Sequence, residues 1–315
     1  MNLHASLPPI DAERAELPVH VDLSACASIQ EVRDAAQPHI AAHLHTVGGV
    51  LLRTRAIDSI QAFEALVAAF SNDLMTYDFG STPRSQLSGK VYTSTEYPAE
   101  QTIAMHNEMA YTTRWPSRIW FYCDQAPEQG GETPVADSRA IYRRVDPAIR
   151  QRFERDGLLY VRNYSAELDV PWQKTFNTER HADVEAYCRQ AGIEFEWRGE
   201  QLKTWQRCQA SLRHPLTDEQ VWFNQAHVFH ISNLEEPYRE AMRAMFSEDE
   251  LPRNVLFGDG SPIEDAMLDE IRHVIDSEKR LFTWRKGDVL MLDNVLTAHG
   301  RESFQGARRI AVAMA

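Results

Sequence analysis

The chain has 315 residues, of which 43% are hydrophobic and 25% charged, and it carries a formal net charge of −13. So acidic a surface argues against nonspecific binding to nucleic acid or to an anionic membrane, since both need basic patches. No Ser/Gly run, Pro tract or charge block marks a linker, so one domain spanning 1–315 is expected, with residues 1–45 a helical N-terminal extension packed on the core.

The start, MNLHASLPPIDAERAELP, lacks the basic and apolar stretches of a signal peptide. No run is apolar for long enough to span a bilayer. The four cysteines, Cys26, Cys123, Cys188 and Cys208, show no CxxC spacing. These features predict a cytoplasmic protein with reduced thiols.

Ser28-x-x-Glu31 predicts a capped helix running to about residue 45, with Pro38 inside it. Gly48-Gly49 followed by VLLR reads as a turn and a buried strand. Asp58-Ser59 precede IQAFEALVAAF, whose apolar positions fit a helix. From 80 to 135, KVYTST, QTIAMHNEM and RIWFYC read as strands separated by Pro, Gly and Ser. Asp146-Pro147 starts a helix over AIRQRFERDG, and a second covers HADVEAYCRQAG. IEFEW, LKTWQ and VWFN read as strands, and Pro262 opens a helix to about Lys279. The end of the chain reads as strand, turn, strand, a return through Gly306 and a last strand. Strands and helices do not alternate regularly, so a doubly wound parallel sheet is disfavoured. A mainly β jelly roll with flanking α-helices is expected.

The segment AMHNEMAY, residues 104–111, places His106 and Glu108 two apart and contains no Lys or Arg. On an extended strand both would project to one face, with Asn107 turned away. A nitrogen and a carboxylate together make two-thirds of the two-His, one-carboxylate triad of non-haem Fe(II) oxygenases. His299, after VLML and a DN turn and before Gly300, is the best candidate for the third ligand. The pairs His43/His45 and His227/His230 read as solvated surface and satisfied core. The bland alternative, a His-x-Glu on a strand with no metal, stays open on these residues alone. An iron oxygenase of this kind commonly oxidises 2-oxoglutarate, whose distal carboxylate suits an Arg fork. Alternation puts Arg308 and Arg309 on opposite faces of the last strand, so only one can look inward.

Several ordered stretches together resemble one family: FGSTPRS (79–85), VYTSTEYP (91–98), HNEMAY (106–111), GGETPVADSR (130–139), VWFNQAHVFH (221–230), FGDG (257–260) and GDVLMLDNVLTAHGRESFQGARRI (287–310). From about residue 45 to 315 the chain resembles the taurine dioxygenase-like (TauD/TfdA) Fe(II)/2-oxoglutarate-dependent oxygenases, in particular the branch of the syringomycin aspartate hydroxylase and related amino-acid oxygenases. The resemblance implies a double-stranded β-helix, which is a jelly roll, with Fe(II) on His106, Glu108 and His299, and 2-oxoglutarate and O2 as co-substrates. It places Thr133 and Arg309 on the distal carboxylate of 2-oxoglutarate. A carboxylate at 108 implies hydroxylation or another oxygen-derived outcome, because related halogenases carry a small residue there to admit chloride. The family's sulfonate-binding Arg falls on Ala313, which argues against taurine.

The implied substrate is an amino acid or a derivative of one, free or presented on a carrier protein, in natural-product biosynthesis. Arg84, Arg118 and Arg301 are candidates for its carboxylate and Glu96 for its ammonium, with Tyr92, Trp222 and Asn224 as cavity walls. Arg301 leads because it follows His299-Gly300. Each of these also reads as a packing or surface residue. Two other classes compete. A zinc hydrolase can use two His and a Glu, but leaves Thr133 and Arg309 without a role. A non-catalytic jelly-roll binding protein predicts a damaged triad, and all three positions are filled.

Overall fold

A computed structural model of the chain describes residues 16–71, 73–76, 84–164 and 169–315. The first fifteen residues of the N-terminal extension and most of FGSTPRS lie outside them.

Strand β1 (Val19–Asp22) leads to helix α1 (Ile29–Val47). Ser28 caps this helix by accepting the Glu31 N–H at 3.2 Å, a contact worth about 1 kcal/mol. The Glu31 carboxylate accepts from Ala27 N–H, one residue before the cap, so the capping box is shifted. Pro38 lies on the exposed face of α1 and is tolerated there. Strand β2 (Gly49–Arg53) and helix α2 (Ile60–Phe70, capped by Ser59) follow as the apolar spacing predicts.

Seven short strands come next: β3 (Gln86–Ser88), β4 (Val91–Thr93), β5 (Ile103–His106), β6 (Arg118–Gln125), β7 (Gln129–Gly130), β8 (Val135–Asp137) and, after helices α3 (Ser138–Arg144) and α4 (Pro147–Asp156), β9 (Leu158–Tyr164). Asp146 caps α4, with Pro147 in its first turn. Beyond the helix His181–Ala191 lie β10 (Glu194–Arg198), β11 (Gln201–Cys208), β12 (Ser211–Arg213), β13 (Gln220–Trp222) and β14 (Arg253–Phe257). After the helix Asp265–Ser277, the chain closes with β15 (Val289–Asp293), β16 (Thr297–Arg301), β17 (Phe304–Gln305) and β18 (Arg309–Met314).

The main sheet has seven strands in the order β1-β2-β15-β6-β18-β4-β3. Its two faces do different work. Trp120, Tyr122, Met291, Ala311 and Ala313 pack under α1 and α2. Ile119, Phe121, Leu290, Ile310 and Val312 face inward with Val135 of the second sheet. That second sheet has three strands, β5-β16-β8. Its far side contributes Met105, Ala136 and Ala298 to a separate core built on the sheet β10-β11-β9-β14 and its helices. The two facing sheets make the expected jelly roll, and the inserted sheet braces the smaller one from behind. Because β1 pairs in parallel with β2 and α1 lies on the same sheet, residues 19–47 are built into the main layer.

Among the described residues, no helix is long and apolar enough to cross a membrane. The four cysteines are free thiols.

Candidate metal centre

The space between the two sheets is lined by His106, His299, Arg84, Thr133, Phe121 and Arg308, among others. His106 and His299 sit directly opposite each other in the antiparallel pairing of β5 with β16. Their rings are 4.7 Å apart, and Phe121 meets His299 edge-on at 5.1 Å. Gly300 permits this approach: a Cβ there would lie 2.6 Å from the Ile103 carbonyl oxygen.

Glu108 does not reach the site by strand alternation. Strand β5 stops at His106, and Glu108 lies in the turn that follows. Met109 next to it has φ 57°, a left-handed conformation uncommon for a residue with a side chain. The expectation of one extended strand carrying both ligands is corrected accordingly. Asn107 does turn away, and its amide binds Ser138 Oγ and the Asn294 carbonyl.

Ligand atoms of His106, Glu108 and His299 all lie within 4.8 Å of one another. The Ala104 carbonyl accepts from His106 Nδ1 at 2.8 Å. A carbonyl can only accept, so Nδ1 carries the proton and Nε2 presents a lone pair. Burial, then the neighbouring His299, lowers the His106 pKa to about 4, so the ring is neutral near pH 7. Burial would push Glu108 up, but the Arg84 guanidinium and the nearby imidazoles outweigh it and hold the carboxyl well below its ordinary range. Arg84 Nη2 donates to Glu108 Oε2 at 2.8 Å, and both side chains are about 5% exposed. The neutral imidazole of His106, the imidazole of His299 and one ionised carboxylate on one side of a cleft fit a divalent metal of the iron type.

The arginine side of the cavity corrects one expectation. Arg308, not Arg309, faces the cavity. It shares the inward face with Ile310 and Val312, whereas Arg309 is 58% exposed and pairs with Asp124. A register shift at Arg309/Ile310 leaves Asp124 as the extra residue on β6, beside Arg309. Arg308 Nε donates to the Gly131 carbonyl at 2.9 Å, and its Nη2 lies 3.5 Å from Thr133 Oγ1. Gly131, with φ 70°, makes room: a Cβ there would lie 3.0 Å from Arg308 Cδ. Among the described residues Arg308 has no carboxylate partner. Burial, then the nearby Arg301, lowers its pKa to about 10. A half-buried guanidinium without a counter-ion is a ready anion site.

The substrate candidates separate. Arg301 is buried at the cavity, but it donates to the carbonyls of Tyr97 (3.0 Å), Pro98 (2.6 Å) and Gln101 (2.7 Å). It staples a loop and leaves no fork for a carboxylate. Glu96 is exposed and accepts from Thr93 Oγ1. Arg118 opens β6 outside the cavity lining. Tyr92 is half-buried on β4, also outside the lining. Trp222 packs at a tilt against Phe153 in the separate core, and Asn224 spends its amide on Ala210 O and Ala226 N–H. Of these seven, only Arg84 and Arg301 reach the cavity.

Residues outside the sequence-derived site candidates surround the site. Asn294 holds both polar groups of the Glu108 backbone. His227 Nε2 bonds the Met105 carbonyl next to His106. His45, expected on the surface, instead meets Asp293 at 2.7 Å together with His214 at 2.9 Å. Backbone N–H groups of Leu216 and Thr217 point at His214 Nδ1, so its proton is on Nε2, where a metal would need a lone pair. This second cluster is a hydrogen-bonded clamp on the β15–β16 turn.

Facing imidazoles, a buried carboxylate and an unpaired arginine between the sheets of a jelly roll define the mononuclear iron oxygenases that use a keto-acid co-substrate. The chain belongs to the taurine catabolism dioxygenase TauD, TfdA family, whose pattern matches residues 5–314, and it is an Fe(II)/2-oxoglutarate-dependent dioxygenase. It is 42% identical over 268 residues to the dapdiamide synthesis protein DdaC of Enterobacter agglomerans, covering 85% of this chain and 82% of that one. It is 31% identical over 287 residues to a clavaminate synthase-like protein of Arabidopsis thaliana, covering 86% and 82%. The crystal structure of AAD-2 in complex with Mn(II) and N-oxalylglycine shares the fold at TM-score 0.52 and 13% identity, over 96% of this chain and 94% of that one.

Proposed function

We propose that this dioxygenase hydroxylates an unactivated C–H bond of an amino acid or amino-acid derivative, free or carrier-tethered, in natural-product biosynthesis. Its small-molecule site takes Fe(II) on His106, Glu108 and His299 and the distal carboxylate of 2-oxoglutarate on Arg308 and Thr133. The observation that carries this reading is the half-buried Arg308, which lacks a counter-ion and opens on the same cavity as the two histidines. The likeness to a dapdiamide synthesis protein supports a place in natural-product biosynthesis.

The bound metal and keto acid supply the activation of dioxygen for attack on carbon. The chain's residues do the rest. His106 presents Nε2 because Ala104 holds its other nitrogen. Glu108 is kept ionised by Arg84. Trp284 Nε1 donates to Thr133 Oγ1 at 3.0 Å and fixes that hydroxyl beside Arg308. Phe121, Ile103 and Ile310 make the cavity wall apolar and exclude water from the reacting carbon. Arg84 lines the same cavity with its Nη2 given to Glu108, and Arg301 is spent on carbonyls. Counted from Arg308, the position four residues on is Val312, so a sulfonate-binding Arg is missing in this register as well.

The test is substrate-dependent succinate formation. The purified enzyme with Fe(II), 2-oxoglutarate and a panel of free and carrier-bound amino acids should release succinate and a product heavier by one oxygen. Turnover only with substrates unrelated to amino acids would reject the substrate class.

A further inference from the structure

We infer that Asn294 is the positioning residue that sets Glu108 at the metal site. The inference rests on the metal-site reading above and adds a residue to it.

The problem it solves is local. Glu108 lies past the end of β5, next to the left-handed Met109, so the sheet ladder does not hold its peptide. A non-Gly residue in that conformation is strained and persists only where neighbours enforce it. Asn294 supplies the enforcement. Its Oδ1 accepts the Glu108 N–H at 2.7 Å, and its Nδ2 donates to the Glu108 carbonyl at 3.0 Å and to the Pro116 carbonyl at 2.8 Å. One side-chain amide thus serves both polar groups of the ligand's backbone, as a neighbouring strand would.

The amide is fixed in turn. Asn294 is 0% exposed, its own N–H donates to Ser117 O at 3.0 Å, and its carbonyl accepts from Asn107 Nδ2 at 2.6 Å. Asn294 also opens the turn from β15 to β16, the strand that carries His299. The three ligands are therefore registered through one element. His299 is set against His106 by strand pairing, and Glu108 is set against both by the turn that precedes His299. The chemistry needs Asn: Asp of the same size lacks the two donors, and an apolar residue would strand buried N–H and C=O groups.

The test is Co(II) binding by the metal-free full chain, read by titration and by the ligand-field spectrum. Asn294→Ala is expected to bind Co(II) about 10–100-fold more weakly than wild type, the usual cost of losing an outer partner of a ligand, with a shifted spectrum. Ser138→Ala removes another hydrogen bond to Asn107 but none to Glu108, and should keep wild-type affinity and spectrum. Wild-type affinity and spectrum in Asn294→Ala would overturn the inference. Absence of Co(II) binding by the wild type would overturn the metal-site reading and this inference with it. If Asn294→Ala does not fold, amide exchange in the wild type decides: strong protection of the Glu108 N–H supports the clamp, and exchange at the rate of an open turn refutes it.

Discussion

Arg84 and Glu108 form a buried ion pair inside the cleft where the metal ligands converge. Nη2 and Oε2 are 2.8 Å apart, and the same oxygen lies 3.6 Å from His299 Nε2. The guanidinium neutralises a carboxylate that would otherwise be an uncompensated buried charge. Removing one partner of such a pair typically costs about 3–5 kcal/mol. Arg84→Met should therefore destabilise the metal-free protein by several kcal/mol. A divalent metal would supply the missing charge, so added Mn(II) should raise the melting temperature more in the variant than in the wild type. Equal gains in the two proteins would show that Arg84 and the metal do not share Glu108.

Gly300 sets the distance between the strands that carry His106 and His299. A Cβ would meet the Ile103 carbonyl oxygen at 2.6 Å and Met105 Cγ at 3.2 Å. The carbonyl is backbone and cannot swing aside. Gly300→Ala is expected to cost about 1–3 kcal/mol, as overpacking does, and to weaken metal binding by parting the two strands. Urea unfolding and metal titration check both, and a variant unchanged in both would contradict this role.

Arg301 ties the Tyr97–Gln101 loop to the strand of His299 through three carbonyls. Arg301→Ala should loosen that loop, with faster proteolysis between residues 97 and 101 than in the wild type. It should leave 2-oxoglutarate affinity nearly intact. A loop as resistant as in the wild type would mean the staple is dispensable.

How much of this was legible in the sequence depends on what each inference needed. The strands around KVYTST and RIWFYC and the caps at Ser28, Ser59 and Asp146 follow from local chemistry, and they appear in the structure where that chemistry puts them. Spacing and residue type only nominated His106, Glu108 and His299; the resemblance to the family assigned them to the metal as a set, and the fold brings them together. Glu108 arrives by a turn because the Asn294 contact that bends the chain is long-range and leaves no local pattern. Alternation shows that one of Arg308 and Arg309 looks inward, but which one depends on how β18 lies against β6. Proximity to His299 suggested a substrate role for Arg301, yet the direction of a long side chain is set by the carbonyls it finds. His45 looked like a surface residue because its partner Asp293 is remote in sequence.

His230 gives the fold an acid-sensitive element. It is 7% exposed, and its Nδ1 accepts the Ser232 N–H at 3.1 Å, which a protonated nitrogen cannot do. Burial is the main cause that lowers its pKa to about 4, against about 6.5 in the unfolded chain. Between those values the unfolded state binds the extra proton, so stability falls as pH falls through that window. From pH 7 to pH 5 His230 alone should account for about 2 kcal/mol of lost stability. His230→Asn keeps an acceptor and removes the titration. Urea unfolding of the metal-free protein at the two pH values should show a shallower loss in the variant, and an unchanged loss would assign the acid sensitivity elsewhere.

The central claim is that one cavity holds iron on His106, Glu108 and His299 and 2-oxoglutarate on Arg308. Anaerobic visible absorption tests it most directly. Addition of Fe(II) and 2-oxoglutarate to the metal-free protein should produce the weak metal-to-ligand charge-transfer band of the chelated keto acid. The band should be absent in His106→Ala, should need much more 2-oxoglutarate in Arg308→Ala, and should form normally in Arg309→Ala. No band in the wild type, with tight zinc binding in its place, would contradict the account. A band weakened by Arg309→Ala and untouched by Arg308→Ala would contradict its assignment of the co-substrate site.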